Sequence, residues 1–317
     1  MDRVLLTDSI AKAGEEILAR RTEVVRAPDS DPATIRRFAH DVDGMIIRSK
    51  LPDDIFTAAP RLRAVVVHGT GTDLVPLADA TARGVMVANL PGVNAQSVAE
   101  YCVMAMLMLA RNILSIVNSL KTEKWDAVRL LGANAREVSA LTLGIVGVGE
   151  IGSRLAAICR RGLGMRVLGH RRNLDRLPPE AEPASLEQLL AASDFVVVAC
   201  PLTKETHHLF NQERIGQMKP TAWLINVGRG PVVDEQALVA ALRGKRIAGA
   251  MLDVYEHYRL SPGHALFSLD NVILTPHLAA VTRESRARAS VAAAEEMLRM
   301  LAGERPMNLV NPEAAKR

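Results

Sequence analysis

Two residues in the last third of the chain have the types and the setting for keto-acid chemistry. Arg229 lies in Asn226-Val227-Gly228-Arg229-Gly230, and His277 closes Leu274-Thr275-Pro276-His277, 48 residues later. Each follows a short apolar run, where a strand should end and a loop begin. A guanidinium is permanently charged and forked, so it can orient a carboxylate and polarise an adjacent carbonyl. An imidazole titrates near neutrality and can donate or accept a proton. Emerging from neighbouring loops of one parallel sheet, the pair would suit the interconversion of a 2-keto acid and a 2-hydroxy acid. Taken singly, either residue would more often be structural or solvated; their joint placement at strand ends is what carries weight.

The elements that would position them come in two alternating blocks. In the first, β-branched runs at 4–6, 24–25, 44–47, 64–67 and 85–89 alternate with helical stretches at 10–21 and 32–40. Such alternation predicts a parallel sheet with crossover helices. A long apolar helix is expected from about 95 to 120, with Met104, Met106 and Met108 as core or interface filler. The second block has strand-like runs at 143–147, 166–169, 195–199, 223–227, 249–253 and 272–275, most of them separated by helical stretches. Six strands in that rhythm fit a doubly wound nucleotide-binding sheet. A final helix is expected over about 282–302.

The second block opens with a cofactor signature. Leu143-Gly144-Ile145-Val146 runs into Gly147-Val148-Gly149-Glu150-Ile151-Gly152. Gly147 would permit the tight turn, Gly149 the approach of a pyrophosphate and Gly152 close helix–strand packing. The N–H groups at the helix start, around Glu150 and Ile151, would face the phosphates. Where an NAD site places a carboxylate, about 20 residues beyond the glycines, the chain reads His170-Arg171-Arg172-Asn173. Two guanidinium groups suit a 2′-phosphate, so NADP is favoured and NAD remains possible. The alternative is a solvated arginine pair with loose selectivity.

Composition narrows the partners. The chain has 317 residues, enough for two domains, and its +4 formal charge is spread without a basic run. With 3% aromatic residues it offers few stacking platforms, so nucleic acid is not an expected partner. The longest apolar stretch, 103–110, is too short to span a bilayer, and the start reads as a strand rather than a signal peptide. Cys102, Cys159 and Cys200 are isolated in apolar segments, as expected of buried thiols in a reducing cytoplasm, and no metal site is expected.

Across Asn89 to Arg111, Leu143 to Gly152, Pro201-Leu202-Thr203, Met218 to Asp253 and Asn271 to Ala279, the chain resembles the D-isomer-specific 2-hydroxyacid dehydrogenases. That family includes phosphoglycerate dehydrogenase and the glyoxylate/hydroxypyruvate reductases. The resemblance implies an α/β fold of two doubly wound parallel-sheet domains. A flavodoxin-like substrate domain would comprise 1–96 plus 283–317, and a Rossmann coenzyme domain 97–282, with the active site in the cleft between them. It further implies that Arg229 contacts the substrate carboxylate and 2-oxygen while His277 exchanges the proton. Thr70 and Gly71 match the loop whose backbone holds the carboxylate, and Arg48 matches a cleft-facing position that could equally make a surface ion pair. Cys200, Pro201, Val227 and Asp253 would line the cofactor site, with Asp253 more a support than a proton carrier. A homodimer through the coenzyme domains is implied as well, with the Met-rich segment and an arm over 118–138 supplying the contact, although by sequence alone the same apolar face could equally be buried within one chain.

One position departs from the pattern. Most of the family carries a glutamate five residues after the Asp253 equivalent, where it charges up the catalytic histidine. Here the segment reads Asp253-Val254-Tyr255-Glu256-His257-Tyr258-Arg259, with the expected 24 residues from Asp253 to His277. Tyr258 could bond His277 through its hydroxyl, Glu256 could serve instead, or Tyr258 could shape a substrate pocket. A neutral phenol raises a histidine's pKa less than a carboxylate does, so reduction should fall off at lower pH than with glutamate. The expectation is therefore a reductase of glyoxylate or hydroxypyruvate class acids. A dinucleotide-sensing binding protein with little turnover is the alternative, and oxidation of a phosphonate or formate a fainter one.

Overall fold

The structure, a computed structural model, describes residues 1–314. The chain folds into two compact units, Met1–Asn94 together with the segment from Val281 onward, and Ala95–Ala280. Each is an α/β layer structure around one all-parallel sheet.

The first unit contains β1 (Asp2–Leu6), β2 (Thr22–Arg26), β3 (Gly44–Ile47), β4 (Ala64–Val67) and β5 (Met86–Ala88), in the order β2-β1-β3-β4-β5. This is the flavodoxin-like winding. β3 and β4 are buried along their whole length, which is why they read as unbroken apolar runs rather than alternating ones. Successive side chains still divide between faces. Leu5, Met45, Ile47, Val65 and Val67 enter one core, while Val4, Leu6, Ile46, Ala64 and Val66 enter the other. The helix Arg283–Leu301 covers the second face with Ala289, Ala293, Ala294 and Met297. Thr282 caps it, accepting from the Ser285 N–H.

The second unit has seven strands: β6 (Thr142–Val146), β7 (Arg166–His170), β8 (Glu182–Pro183), β9 (Phe195–Val198), β10 (Trp223–Asn226), β11 (Gly249–Leu252) and β12 (Val272–Leu274). Their order is β12-β11-β10-β9-β6-β7-β8. The chain winds outward from β6 through β7 to β8, then returns to pair β9 on the other side of β6. That reversal leaves a crevice at the carboxyl ends of β6 and β9, the usual ligand position in such sheets. Helix starts follow local side chains: Ser185 and Gln188 form a capping box, and Asn211 and Asp234 accept from N–H groups three residues on.

Two sequence expectations change here. β8 is a seventh strand, two residues long and containing a proline, so no β-branched run announces it. The helix expected over 95–120 breaks into Ala95–Ala110 and Ile113–Ser119, bent by 59°. Asn112 sits at the break with φ 51°, a left-handed conformation that asparagine tolerates better than most residues. Of the three methionines, Met106 is buried while Met104 is exposed. No single helix among the described residues is long and apolar enough to cross a membrane.

Candidate active site

The three glycines after β6 are needed for three different reasons. Gly147 has φ 97°, and a side chain there would collide with the backbone of Cys200. A Cβ on Gly149 would meet nothing within 4 Å, so this position leaves open a space that a side chain would fill. A Cβ on Gly152 would come within 2.8 Å of the Gly147 carbonyl oxygen, so its absence lets helix Glu150–Ala157 pack on the strand. An open cradle in front of a helix start, with Glu150 exposed and Ile151 half-buried beneath it, fits a pyrophosphate.

β7 ends at His170, whose Nδ1 lies 3.1 Å from the Ala184 carbonyl. Arg171 donates from Nη1 to the Arg176 carbonyl at 2.8 Å, folding the following loop back on itself. Arg172 is exposed. The Glu205 carboxyl is held below its usual range, first by the Thr203 hydroxyl and to a lesser degree by the charge of Arg172. Cys200 and Val227 are buried at the ends of β9 and β10, and Pro201 is exposed. Burial pushes the Cys200 thiol up to about 11 and that of Cys159 to about 12, so both stay protonated and unreactive near neutrality.

Arg229 is presented by a turn that Asn226 clamps from inside. Buried Asn226 accepts from the Gly228 N–H at 3.1 Å and donates to the Arg229 carbonyl at 3.2 Å. Arg229 itself donates from Nη1 to the Gly228 carbonyl at 2.9 Å. Gly230 cannot carry a side chain, because a Cβ would collide with the Tyr255 carbonyl. The Arg229 turn and the segment after β11 therefore touch backbone to backbone.

His277 is held just as firmly. It has φ 58°, a strained conformation for a non-glycine residue, and its N–H donates to the carbonyls of Asp253 and Thr275 at 3.0 Å each. The buried Asp253 carboxylate accepts from the Thr275 hydroxyl at 2.7 Å, the Leu278 N–H at 2.6 Å and the Ala279 N–H at 2.9 Å. Because the Thr275 hydroxyl donates to Asp253, Tyr101 donates to Thr275, at 2.6 Å. The Tyr255 hydroxyl donates to the Thr275 carbonyl at 2.8 Å, bridging β11 and β12. Both oxygens of Asp253 are thus spent on the His277 loop.

Between Tyr258 and His277 the structure records a ring contact, edge-on, with centroids 6.1 Å apart and planes at 65°. Tyr258 is otherwise exposed, at 71% of its surface. Glu256 faces elsewhere: Oε1 lies 2.8 Å from His208 Nε2, and Oε2 accepts from the Glu235 N–H. Asn226, Tyr101, Tyr255 and Thr275 share in building the site, and nothing in the sequence pattern marked them for it. The polar residue closing β10 and a tyrosine within an apolar helix were the faint signals for Asn226 and Tyr101 alone.

In the first unit, Arg48 donates to the Ser9 carbonyl at 3.3 Å. Burial first, and the Arg48 guanidinium second, push the His68 imidazole down to about 4, so it is neutral. Thr70 is exposed with its carbonyl bound by Asn89, and Gly71 is half-buried beside it.

Residues 103–279 match the D-isomer specific 2-hydroxyacid dehydrogenase NAD binding domain. A glyoxylate reductase of Thermofilum pendens is 37% identical over 99% of this chain and 96% of its own length. That of Thermococcus kodakarensis is likewise 37% identical, over 99% and 97%. The crystal structure of an NADPH-dependent glyoxylate/hydroxypyruvate reductase from Sinorhizobium meliloti, with NADP and malonate, superposes with a TM-score of 0.86 at 30% identity, covering 99% and 98%. With its glycine cradle and two clamped loops on such a sheet, the chain belongs to the D-isomer specific 2-hydroxyacid dehydrogenase family, and the β6–β12 sheet is the core of its NAD(P)-binding domain.

Proposed function

We propose that this protein reduces small 2-keto acids of the glyoxylate and hydroxypyruvate class, with Arg229 binding the carboxylate and His277 as general acid. The observation that carries the reading is the pair of clamped loops on one sheet edge. β10 and β12 flank β11 in register, with Asn226 opposite Leu252 and Leu252 opposite Leu274. Sheet spacing then sets the two strand ends roughly 10 Å apart, a gap that suits a small acid held at one end and protonated at the other. When bound, the nicotinamide supplies the hydride. Arg229 orients the carboxylate and stabilises charge growing on the 2-oxygen, and His277 gives that oxygen its proton. Arg48, Thr70 and Gly71 are assigned as further substrate contacts.

NADP is the favoured cofactor, because β7 ends at His170 and is followed by Arg171 and Arg172, with no carboxylate for a ribose hydroxyl. The S. meliloti relative is NADPH-dependent, which supports the same choice. A second reading, a dinucleotide sensor with little turnover, draws on Tyr258, since a ring edge supplies His277 with no negative charge. Steady-state oxidation of NADPH and NADH against a keto-acid panel separates the two. Turnover of glyoxylate and hydroxypyruvate with higher kcat/KM for NADPH is expected. Tight cofactor binding without turnover of any acid would install the sensor instead, and a clear NADH preference would reverse the cofactor assignment.

Ile113, Leu114, Val117, Leu120, Trp125 and Leu130 form an exposed apolar arm in the second unit, and we assign it to a homodimer contact. Light scattering should report twice the mass of the chain. Three buried, unpaired thiols suit a reducing compartment such as the cytoplasm.

A further inference from the structure

Four ionisable side chains that the chemistry above leaves unused form a connected set at the carboxyl ends of β9 to β11. His208 Nε2 donates to Glu256 Oε1 at 2.8 Å. Glu256 Oε2 accepts from the Glu235 N–H, and Glu235 Oε2 accepts from the Glu256 N–H, both at 3.3 Å. Glu235 Oε1 lies 3.0 Å from His264 Nε2. The Leu266 N–H donates to His264 Nδ1, so Nε2 is the nitrogen that carries the proton toward Glu235.

These residues come from three loops. His208 follows β9, Glu235 opens the helix Glu235–Arg243 beyond the Arg229 turn, and Glu256 and His264 lie on the segment that bears Tyr258. His208 has φ 50°, and its N–H donates to the Pro231 carbonyl at 2.8 Å. A strained residue persists only where its surroundings over-determine it. Glu256 also places its charge at a helix start, where the dipole favours it.

We propose that His208 and Glu256 are positioning residues for the reductase reaction. Through Glu235 they clamp the Tyr258 loop to the Arg229 loop, and so fix the edge-on contact of Tyr258 with His277. An exposed ring has no packing of its own to order it, so the anchor two residues before it sets its place. With the clamp open, residues 257–260 move, the His277 ring loses its neighbour, and the Arg229 turn keeps its Asn226 bonds. Proton delivery suffers while carboxylate binding does not.

This inference rests on the reductase reading, and the test separates the two. His208→Ala and Glu256→Ala should each lower kcat about tenfold with KM for glyoxylate little changed, as expected for lost orientation. His208→Gln, which keeps a donor at the Nε2 position, should recover most of the rate. The double variant should be no worse than either single one, because both break the same contact. Hydrogen–deuterium exchange over 254–262 should quicken in the alanine variants while the β6–β7 region stays unchanged. Unchanged kcat and exchange in both alanine variants, or losses that add in the double variant, would overturn the clamp. If the wild type reduces no keto acid, the reductase reading falls, and the exchange data alone still decide whether the clamp exists.

Discussion

His277 and Tyr258 face one another, yet the chain secures them in opposite ways. The His277 loop is tied down by a buried carboxylate with three donors, by two tyrosine hydroxyls and by its own strained backbone. Tyr258 is exposed and meets its neighbour by a ring edge alone. The position of His277 is thus specified by the core, and what stands beside its ring is left to a surface loop. The first is costly to alter and the second is open to change.

The largest effect should come from the secured side. Asp253→Ala leaves two N–H groups, of which that of Ala279 is buried, and a half-buried hydroxyl without their acceptor, at about 1–3 kcal/mol for the buried one and less for the others. A thermal melt several degrees lower and a kcat loss of about a hundredfold are expected. A variant that melts and turns over like wild type would show that the fastening is unimportant.

Gly230→Ala comes next. Its Cβ would run into the Tyr255 carbonyl, so the two backbones must separate, at roughly 2–4 kcal/mol in urea unfolding. Acid should also find a half-buried group in the other unit. His68 has its pKa lowered from 6.5 to about 4, first by burial, so the unfolded chain binds its proton more readily than the folded one. Stability from this residue is fully present above pH 6.5 and is lost as pH falls toward 4, by about 3 kcal/mol. Unfolding curves between pH 4 and 7 should show that slope in wild type and a shallower one in His68→Gln.

The smallest effects belong to Tyr258 and sharpen the contrast most. Tyr258→Phe keeps the ring edge, so kcat should stay within about twofold. Tyr258→Glu restores a carboxylate and should move the alkaline limb of the reduction profile to higher pH, because an anion favours the protonated imidazole. An unmoved limb would count against any influence of this position on His277.

Much of this was legible in the chain because it is local. Strand ends at Arg229 and His277 and the glycine turn after β6 depend on residues within a few positions of one another. The break at Asn112 was not legible because the apolar pattern continues through it, nor was β8, because two residues carry no period. Asp253 was legible as a support rather than a proton carrier, but what it supports was not. A carboxylate at a strand end could equally face a cofactor, and only the folded loop shows both its oxygens taken by residues 22 to 26 positions away.

By itself the sequence determined the two parallel sheets, the cofactor turn and the residue types available for proton and carboxylate handling, since periodicity and turn chemistry act at short range. Tertiary structure alone decided which groups support them. Tyr258 meets His277 by its ring, Glu256 turns to His208, and Asp253 fastens the loop. Each of those choices pairs side chains from loops far apart in the chain, and it is the sheet that brings the loops together.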